Sequence, residues 1–320
     1  MSHRGFAPAL ALLCFAATLV PGQAPPAHPA PDAAKAKPYT PPRTPWGDPD
    51  LEGHWPTTGM IPLQRALPGA AGRGGGRGRG GNQAAQPAPA RPRPASMVVD
   101  PPDGRIPPLT PEAVKLRAEA NGGRGFPAEW KGFADSPEDI NIYIRCITRG
   151  VLGSIMPSSY NNGNHIVQTP GFVVIRHEMI HETRIIPLDA RPHVGKDIKM
   201  YMGDSRGHWE GNTLVVETTN MTDKTSVGSN GTGYNGEGGR HSEALKLTER
   251  FTRVAEDLIQ YQALIDDPKT WSKPYTVQIP LELDTNYGYF EYACHEGNYA
   301  IEDILSGARF EEEQAAKKPQ

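Results

Sequence analysis

Residues 172–187 read FVVIRHEMIHETRIIP and combine a metal-binding motif with the composition of a β-strand. His177, Glu178 and His181 match H-E-x-x-H, in which two histidines one helical turn apart bind Zn²⁺ and the glutamate activates a water molecule. The β-branched residues on both sides of the motif favour an extended strand, and no N-cap residue directly precedes the run. On a strand the two histidines lie roughly 13 Å apart, at about 3.3 Å per residue, which is too far for one metal ion. We therefore predict a single strand across residues 172–186 and no metal site.

Strand patterns recur along the second half of the chain, and turn residues separate them. The predicted strands are residues 165–168, 172–186, 213–219, 244–254, 258–265, 275–283 and 287–294. Hairpin loops at 209–213 and 255–257 join neighbouring strands. Seven or more antiparallel strands without interleaved helices favour a barrel or a sandwich, and strand faces that mix charged with apolar groups favour a barrel with a polar lumen. We predict a mainly β, antiparallel barrel with short peripheral helices, one at residues 110–121 and another at 300–313.

The first 96 residues differ in composition from the rest of the 320-residue chain. Residues 1–24 have a basic start, an apolar run and small residues at its end, which predicts a cleaved signal peptide and a secreted or periplasmic protein. Residues 25–96 are rich in Pro, Ala and Gly and are predicted to be mostly disordered, with a possible docking strand at 44–63. The Arg/Gly tract at 72–81 is predicted to be a linker rather than an RNA-binding segment. Residues 97–313 are predicted to form a single β-barrel domain, and residues 314–320 a tail.

The charge balance and the hydropathy of the chain exclude some classes of partner. The formal net charge is −3, which gives no reason to expect nucleic acid or an anionic membrane as a partner. No segment after the signal peptide approaches the roughly 18 apolar residues that a transmembrane helix needs. No membrane span is therefore predicted.

Two cysteines, Cys146 and Cys294, remain after removal of the signal peptide. In an oxidising compartment this predicts one disulfide that joins the start of the folded region to its end. The alternative is a pair of buried free thiols.

Residues 203–207 read GDSRG and match the G-x-S-x-G nucleophile elbow of serine hydrolases. That elbow needs a strand before it and a helix after it, whereas the strand TLVVETT follows here. We predict a glycine-rich turn in which Asp204 and Ser205 bond their own backbone, and no nucleophilic role for Ser205.

Ionisable side chains share strand faces with apolar residues, so we expect them to be enclosed around one cavity, since enclosed charges need each other or a ligand. The alternative is a set of outward-facing salt bridges between strands. The predicted acid–base residues are Glu178, His181, Arg184, His193, Glu217, Glu291 and His295. The polar loop at the barrel mouth and two aromatic positions supply the predicted ligand-binding residues, which are Asn161, Asn162, His165, Trp209 and Tyr292.

Two functions fit this pattern. The first is an exported enzyme that acts by Glu/His acid–base chemistry on a small polar or aromatic molecule, such as a sugar or a plant phenolic. The second is a non-catalytic, lipocalin-like protein that binds a small ligand. Neither requires a cofactor, and the expected partner is a small molecule. A His-linked metal is compatible with either function, since the chain supplies the ligand types at His177, His181, His193, His208 and His295.

Several blocks of the sequence resemble a known family. EMIHETRIIPLDARPH, GDSRGHWEGNTLVVETTN and YACHEGNYAIEDILSGAR look like the signature blocks of a large family of secreted bacterial proteins of unknown function. The resemblance implies secretion and a single domain, and it implies no particular reaction. The D-L-x-G-x-W start and the W-E-G-N-T-L-V-V hairpin also look like lipocalin-type barrels, so the predicted barrel is lipocalin-like by pattern.

Overall fold

The computed structural model describes residues 39–57, 59, 61–65, 93–116, 134–137, 140, 143–158, 160–225, 227 and 240–317. The predicted signal peptide, the Arg/Gly tract and most of the Pro/Ala/Gly-rich segment lie outside the described residues. Residues 111–116 are helical, as predicted for the start of the 110–121 helix, and the predicted end of that helix also lies outside them.

In the described part of the chain, ten strands form two antiparallel sheets. The strands are β1 Gly53–His54, β2 Val98–Asp100, β3 Asn164–Thr169, β4 Phe172–His177, β5 Thr183–Pro187, β6 Asp204–Glu210, β7 Thr213–Thr219, β8 Lys246–Ala255, β9 Leu258–Asp266 and β10 Tyr275–Glu282. The smaller sheet has the order β1-β3-β4-β5, and the larger has the order β2-β10-β9-β8-β7-β6. Helix α1 is Gly150–Ile155 and helix α2 is Ala300–Lys317. The predicted closing helix at 300–313 is therefore confirmed, and it continues into the predicted tail.

The two sheets share one core because their strands alternate buried and accessible residues. Along β10 every second side chain is buried, and β8 and β9 follow the same period of two. Ile175 of the smaller sheet and Phe251 of the larger sheet belong to the same apolar cluster. Each such side chain contributes about 1.5–3 kcal/mol when fully buried. Segment 44–63, the possible docking strand, supplies β1 and the fully buried Trp55.

The prediction of a mainly antiparallel β protein with few helices is confirmed. A closed barrel is not found: within the described ranges no ladder joins the smaller sheet to the larger one. The lipocalin-like barrel therefore stays a prediction. Over the same residues, no helix is both long enough and apolar enough to cross a membrane.

The prediction of one strand across residues 172–186 is wrong, because the chain reverses there. β4 ends at His177, and β5 begins at Thr183 and pairs with it in antiparallel register. Between them lies a short 3₁₀ turn, with left-handed backbone angles at Ile180 (φ 58°) and His181 (φ 43°). Folding back places Val173 and Ile175 of the first half and Ile186 of the second half in the same core, whereas on one strand Ile186 would lie on the opposite face from the other two. The H-E-x-x-H residues therefore lie on neither one strand nor an α-helix.

Two other local predictions are also corrected. Ser205 lies inside β6 rather than in a glycine-rich turn, and the chain reverses later, at Gly211 and Asn212. Residues 287–294 were predicted as a strand, but they form no ladder in the structure. Instead, the Tyr287 hydroxyl and the Phe290 backbone N–H donate to the buried carboxylate of Glu178 in the β4–β5 turn.

The predicted disulfide is confirmed. Cys146 and Cys294 are bonded, with their Cα atoms 5.7 Å apart. The bond closes a loop with a sequence separation of 148 residues and fixes the segment before α2 to the segment before α1.

Candidate functional site

Arg184, predicted as a catalytic residue, lies in the packed core between the sheets. Its guanidinium donates to both carboxylate oxygens of Glu249, at 3.0 and 2.6 Å. The Tyr261 hydroxyl donates to the same carboxylate at 3.0 Å, and Arg184 also donates to the hydroxyl of Ser205. Burial opposes the charged form of Arg184, but the Glu249 carboxylate outweighs it and raises the pKa of the guanidinium. This group is a closed structural ion pair, and it holds the Ser205 hydroxyl inside the core.

Glu178 is buried in the β4–β5 turn, and its carboxylate accepts four hydrogen bonds. Oε1 accepts from Asn161 Nδ2 at 3.0 Å and from the Phe290 backbone N–H at 3.2 Å. Oε2 accepts from the Tyr287 hydroxyl at 2.5 Å and from the Gly163 N–H at 3.1 Å. Burial and this carboxylate raise the pKa of Tyr287. A carboxylate with four donors is saturated, so its role in this structure is to hold the turn and the 287–290 segment together.

Only a glycine fits at position 163 beside this carboxylate. A Cβ added there would lie 2.7 Å from the Tyr287 ring and 2.9 Å from Glu178 Oε2. The polar loop before β3 therefore approaches Glu178 through its bare backbone.

His193 and Glu217 meet on the other side of the sheet from the core. His193 contacts the Asp204 carboxylate through Nδ1 at 3.0 Å and Glu217 through Nε2 at 3.4 Å. Glu217 also pairs with Lys246. Burial by itself would raise the pKa of Asp204, but hydrogen bonds from the Val194 N–H and from His193 outweigh burial and lower this pKa. Among the described residues no direct side-chain hydrogen bond joins His193 or Glu217 to Arg184 or Glu178; Arg206 links the groups only indirectly, by donating to the Asp204 carboxylate and to the Ser205 carbonyl.

The remaining predicted acid–base residues are exposed. His181 lies in the left-handed part of the turn, and within the described residues its imidazole bonds only the Tyr292 carbonyl, at 3.4 Å. Glu291 and His295 are exposed on the segment before α2. The seven predicted residues therefore occupy several places and do not surround one core cavity. Within the described ranges, no group of three His, Cys, Asp or Glu side chains is arranged to hold a metal ion.

The predicted ligand-binding residues divide in the same way. Asn162 bonds the backbone of Ser158 and so shapes its own loop. His165 stacks on His54 of the neighbouring strand, with ring centroids 4.2 Å apart, and burial lowers its pKa. Trp209 packs against the edge of the main core.

Tyr292 belongs to a cluster of three tyrosines, Tyr143, Tyr160 and Tyr292, which we call the tyrosine cluster. The Tyr143 hydroxyl lies 2.8 Å from the Tyr160 hydroxyl and 3.1 Å from the Tyr292 hydroxyl. The Tyr160 and Tyr292 rings stack, with centroids 6.2 Å apart. Tyr143 is buried, whereas Tyr160 is 49% exposed, so the cluster opens to solvent on one side.

The three hydroxyls differ in acidity because their surroundings differ. Burial raises the pKa of Tyr143, and burial together with the hydrogen bonds to Tyr143 and Tyr160 raises the pKa of Tyr292. At Tyr160 burial by itself would also raise the pKa. Hydrogen bonds with Tyr143 and Tyr292 and the charge of Arg149 outweigh burial and lower the pKa of that hydroxyl. The most exposed tyrosine is therefore the strongest acid of the three.

Arg149 forms the inner wall of the tyrosine cluster. It immediately precedes α1, it is 6% exposed, and its guanidinium carbon lies 4.0 Å above the centre of the Tyr143 ring. A guanidinium stacked on an aromatic face is held by a cation–π interaction.

Tyr143, Arg149 and Tyr160 were not among the predicted site residues. Tyr160 opens the polar loop that the sequence indicated as a ligand contact. The other two lie within a few residues of Cys146, so the predicted disulfide was the signal that pointed to them.

No protein-family model matches this chain, and no characterised protein and no solved structure is significantly similar to it. The functional argument therefore rests on the geometry of the chain itself.

Proposed function

We propose that this is an exported protein that binds a small polar or aromatic organic molecule, of the sugar or phenolic kind, at the tyrosine cluster. The observation that supports the proposal most directly is the meeting of three tyrosine hydroxyls at a partly exposed position. Tyrosine gives a ligand an apolar ring face and a hydroxyl that donates or accepts, which suits both kinds of molecule. The disulfide is compatible with export to an oxidising compartment.

The likeness to lipocalins is proposed only at the level of role: an antiparallel β framework that presents side chains to a small ligand. Membership of the secreted bacterial family indicated by the signature blocks is likewise a proposal, and it agrees with export.

A second candidate function is an enzyme that transfers a proton to or from the bound molecule. The geometry that favours it is the contact of the Tyr160 hydroxyl with the hydroxyls of Tyr143 and Tyr292 at a partly exposed position. The pKa shifts of Tyr160 and Tyr292 have opposite directions, and paired groups of this kind often divide the roles of acid and base. We propose Tyr160 rather than Glu178 for this chemistry, because the Glu178 carboxylate already accepts four hydrogen bonds and, among the described residues, none of them comes from the His181 imidazole.

The test is a titration of purified protein with monosaccharides and with simple phenolics, followed by isothermal calorimetry. We expect at least one class to bind, and Tyr160→Phe and Tyr292→Phe each to weaken binding by about 3- to 10-fold, the contribution of one hydrogen bond. Tyr201→Phe is the matched control, because Tyr201 lies outside the cluster and should bind normally. Failure of both ligand classes to bind would refute the proposal.

The enzyme alternative needs a separate measurement. Compounds that bind are incubated with the protein and followed by NMR for proton exchange or conversion. Turnover that falls about 10²-fold or more in Tyr160→Phe supports acid–base catalysis by that hydroxyl. Binding without any conversion leaves the protein as a binding protein.

A further inference from the structure

Among the residues that the structure describes, Arg149 has no counter-charge. In the described part of the chain no carboxylate and no other hydrogen-bond acceptor contacts its side chain, although the residue is only 6% exposed. Its Nε atom is fully enclosed and has no partner. Within the described residues, the guanidinium contacts only the face of the Tyr143 ring.

The contrast with Arg184 makes this unusual. Arg184 is equally buried, and a bidentate bond to Glu249 compensates its charge. Removing a charge from water is unfavourable unless an opposite charge and hydrogen bonds replace the lost solvation. A cation–π contact replaces only part of that solvation, because it supplies neither an opposite charge nor hydrogen-bond acceptors for the guanidinium N–H groups. The charge of Arg149 is therefore only partly compensated, and this is a deficit that a bound anion would remove.

The deficit lies beside the tyrosine cluster. The charge of Arg149 acts on the hydroxyls of both Tyr143 and Tyr160, so the guanidinium is close to the groups that are proposed to contact the ligand. Its two terminal nitrogens are not fully enclosed, unlike Nε, and they are the donors that form a two-pronged bond with a carboxylate.

We propose that Arg149 binds the anionic group of the ligand, and that the ligand is a small organic acid with a carboxylate attached to an aromatic or polar body. This inference rests on the proposed binding function and narrows its ligand class. A carboxylate carries one charge and matches the fork of one guanidinium, which leaves the three hydroxyls for the rest of the molecule. The neighbouring apolar surface of Met179 and the tyrosine rings suits an aromatic body.

The first test compares acids with neutral molecules of the same shape. The probes are 4-hydroxybenzoate against 4-hydroxybenzamide, and 4-hydroxycinnamate against its amide, measured by calorimetry at pH 7. We expect the acids to bind about 10- to 100-fold more tightly than the amides, the range for a hydrogen bond to a charged group. Arg149→Met should abolish that preference, while Arg250→Gln, a change at an exposed arginine of β8, should leave it intact.

The outcomes separate this inference from the proposed function. If acids and amides bind equally, the tyrosine cluster binds neutral ligands and the role of Arg149 is wrong, while the proposed function stands. If no phenolic and no sugar binds in any form, both fail together.

The second test needs no ligand. Because Arg149→Met removes an uncompensated charge and retains an apolar chain over Tyr143, we expect an unchanged or higher melting temperature in the free protein. A fall of about 5 °C or more would show that the guanidinium already has a stabilising partner, and it would overturn the inference.

Discussion

Replacing Glu249 with glutamine should unfold the protein far more easily, because it leaves Arg184 as an unpaired charge in the core. The change keeps the size of the side chain but removes the charge that accepts from Arg184 at 3.0 and 2.6 Å and from Tyr261 at 3.0 Å. Breaking a buried ion pair by removal of one partner costs about 3–5 kcal/mol. At about 2–4 °C for each kcal/mol in a domain of this size, the melting temperature should fall by roughly 6–20 °C.

Urea unfolding followed by circular dichroism at pH 7 measures this free energy directly. The matched control is the double change Arg184→Met with Glu249→Leu, which removes both charges and should restore most of the lost stability. The double variant should also bind ligands at the tyrosine cluster normally, because neither residue contacts that cluster. A loss below about 1 kcal/mol in Glu249→Gln would refute the reasoning, since such a value is typical of solvated surface pairs.

Three further predictions concern other buried groups. Burial lowers the pKa of His177 to about 3. Between that pH and about pH 6.5 the folded protein keeps this imidazole neutral, whereas the unfolded chain binds a proton. The free energy of unfolding should therefore be highest above about pH 6.5 and fall by about 1.4 kcal/mol for each pH unit towards pH 3. Urea titrations from pH 7 to pH 4 should show a shallower pH dependence in His177→Gln than in the parent, and identical slopes would contradict the assignment. Glu178→Gln should lose about 2–4 kcal/mol, because its amide N–H₂ would face either the donors of Asn161 and Phe290 or those of Tyr287 and Gly163; an unchanged unfolding midpoint would show that the carboxylate is not saturated in solution. Reduction of the disulfide should lower stability by about 5 kcal/mol in the chain-entropy model for a separation of 148 residues, and equal unfolding midpoints with and without reductant would exclude this contribution.

Local patterns predicted most of the β architecture. β7 and the boundaries of β8, β9 and β10 follow from alternation of apolar and polar residues, because a period of two places one face in the core wherever the strand runs. Composition did not reveal the reversal at 178–182. The β-branched residues on both sides favour extended backbone equally in one strand or in two, and the turn is stabilised by donors more than a hundred residues away, at Tyr287 and Phe290.

The site was predicted only in part, for a similar reason. Tyr292 was selected, and the predicted disulfide already implied that residues just before Cys294 lie near residues just before Cys146. Tyr143 and Tyr292 occupy those positions, so the covalent constraint contained part of the tyrosine cluster. The acid–base residues were selected by charge, and charge alone does not distinguish a satisfied pair such as Arg184 and Glu249 from an open group. The absence of a counter-charge beside Arg149 among the described residues depends on which side chains are its neighbours in space, and no local sequence pattern contains that information.

The disulfide between Cys146 and Cys294 also bears on when the tyrosine cluster is assembled. Each cysteine carries one tyrosine of the cluster a few residues upstream, so the two hydroxyls come from segments that only the oxidised chain holds together covalently. Thiols stay reduced in reducing compartments, and bonds of this kind form in oxidising ones. A chain in a reducing compartment would therefore lack the covalent link between these two segments, and the tyrosine cluster would be covalently secured only after oxidation.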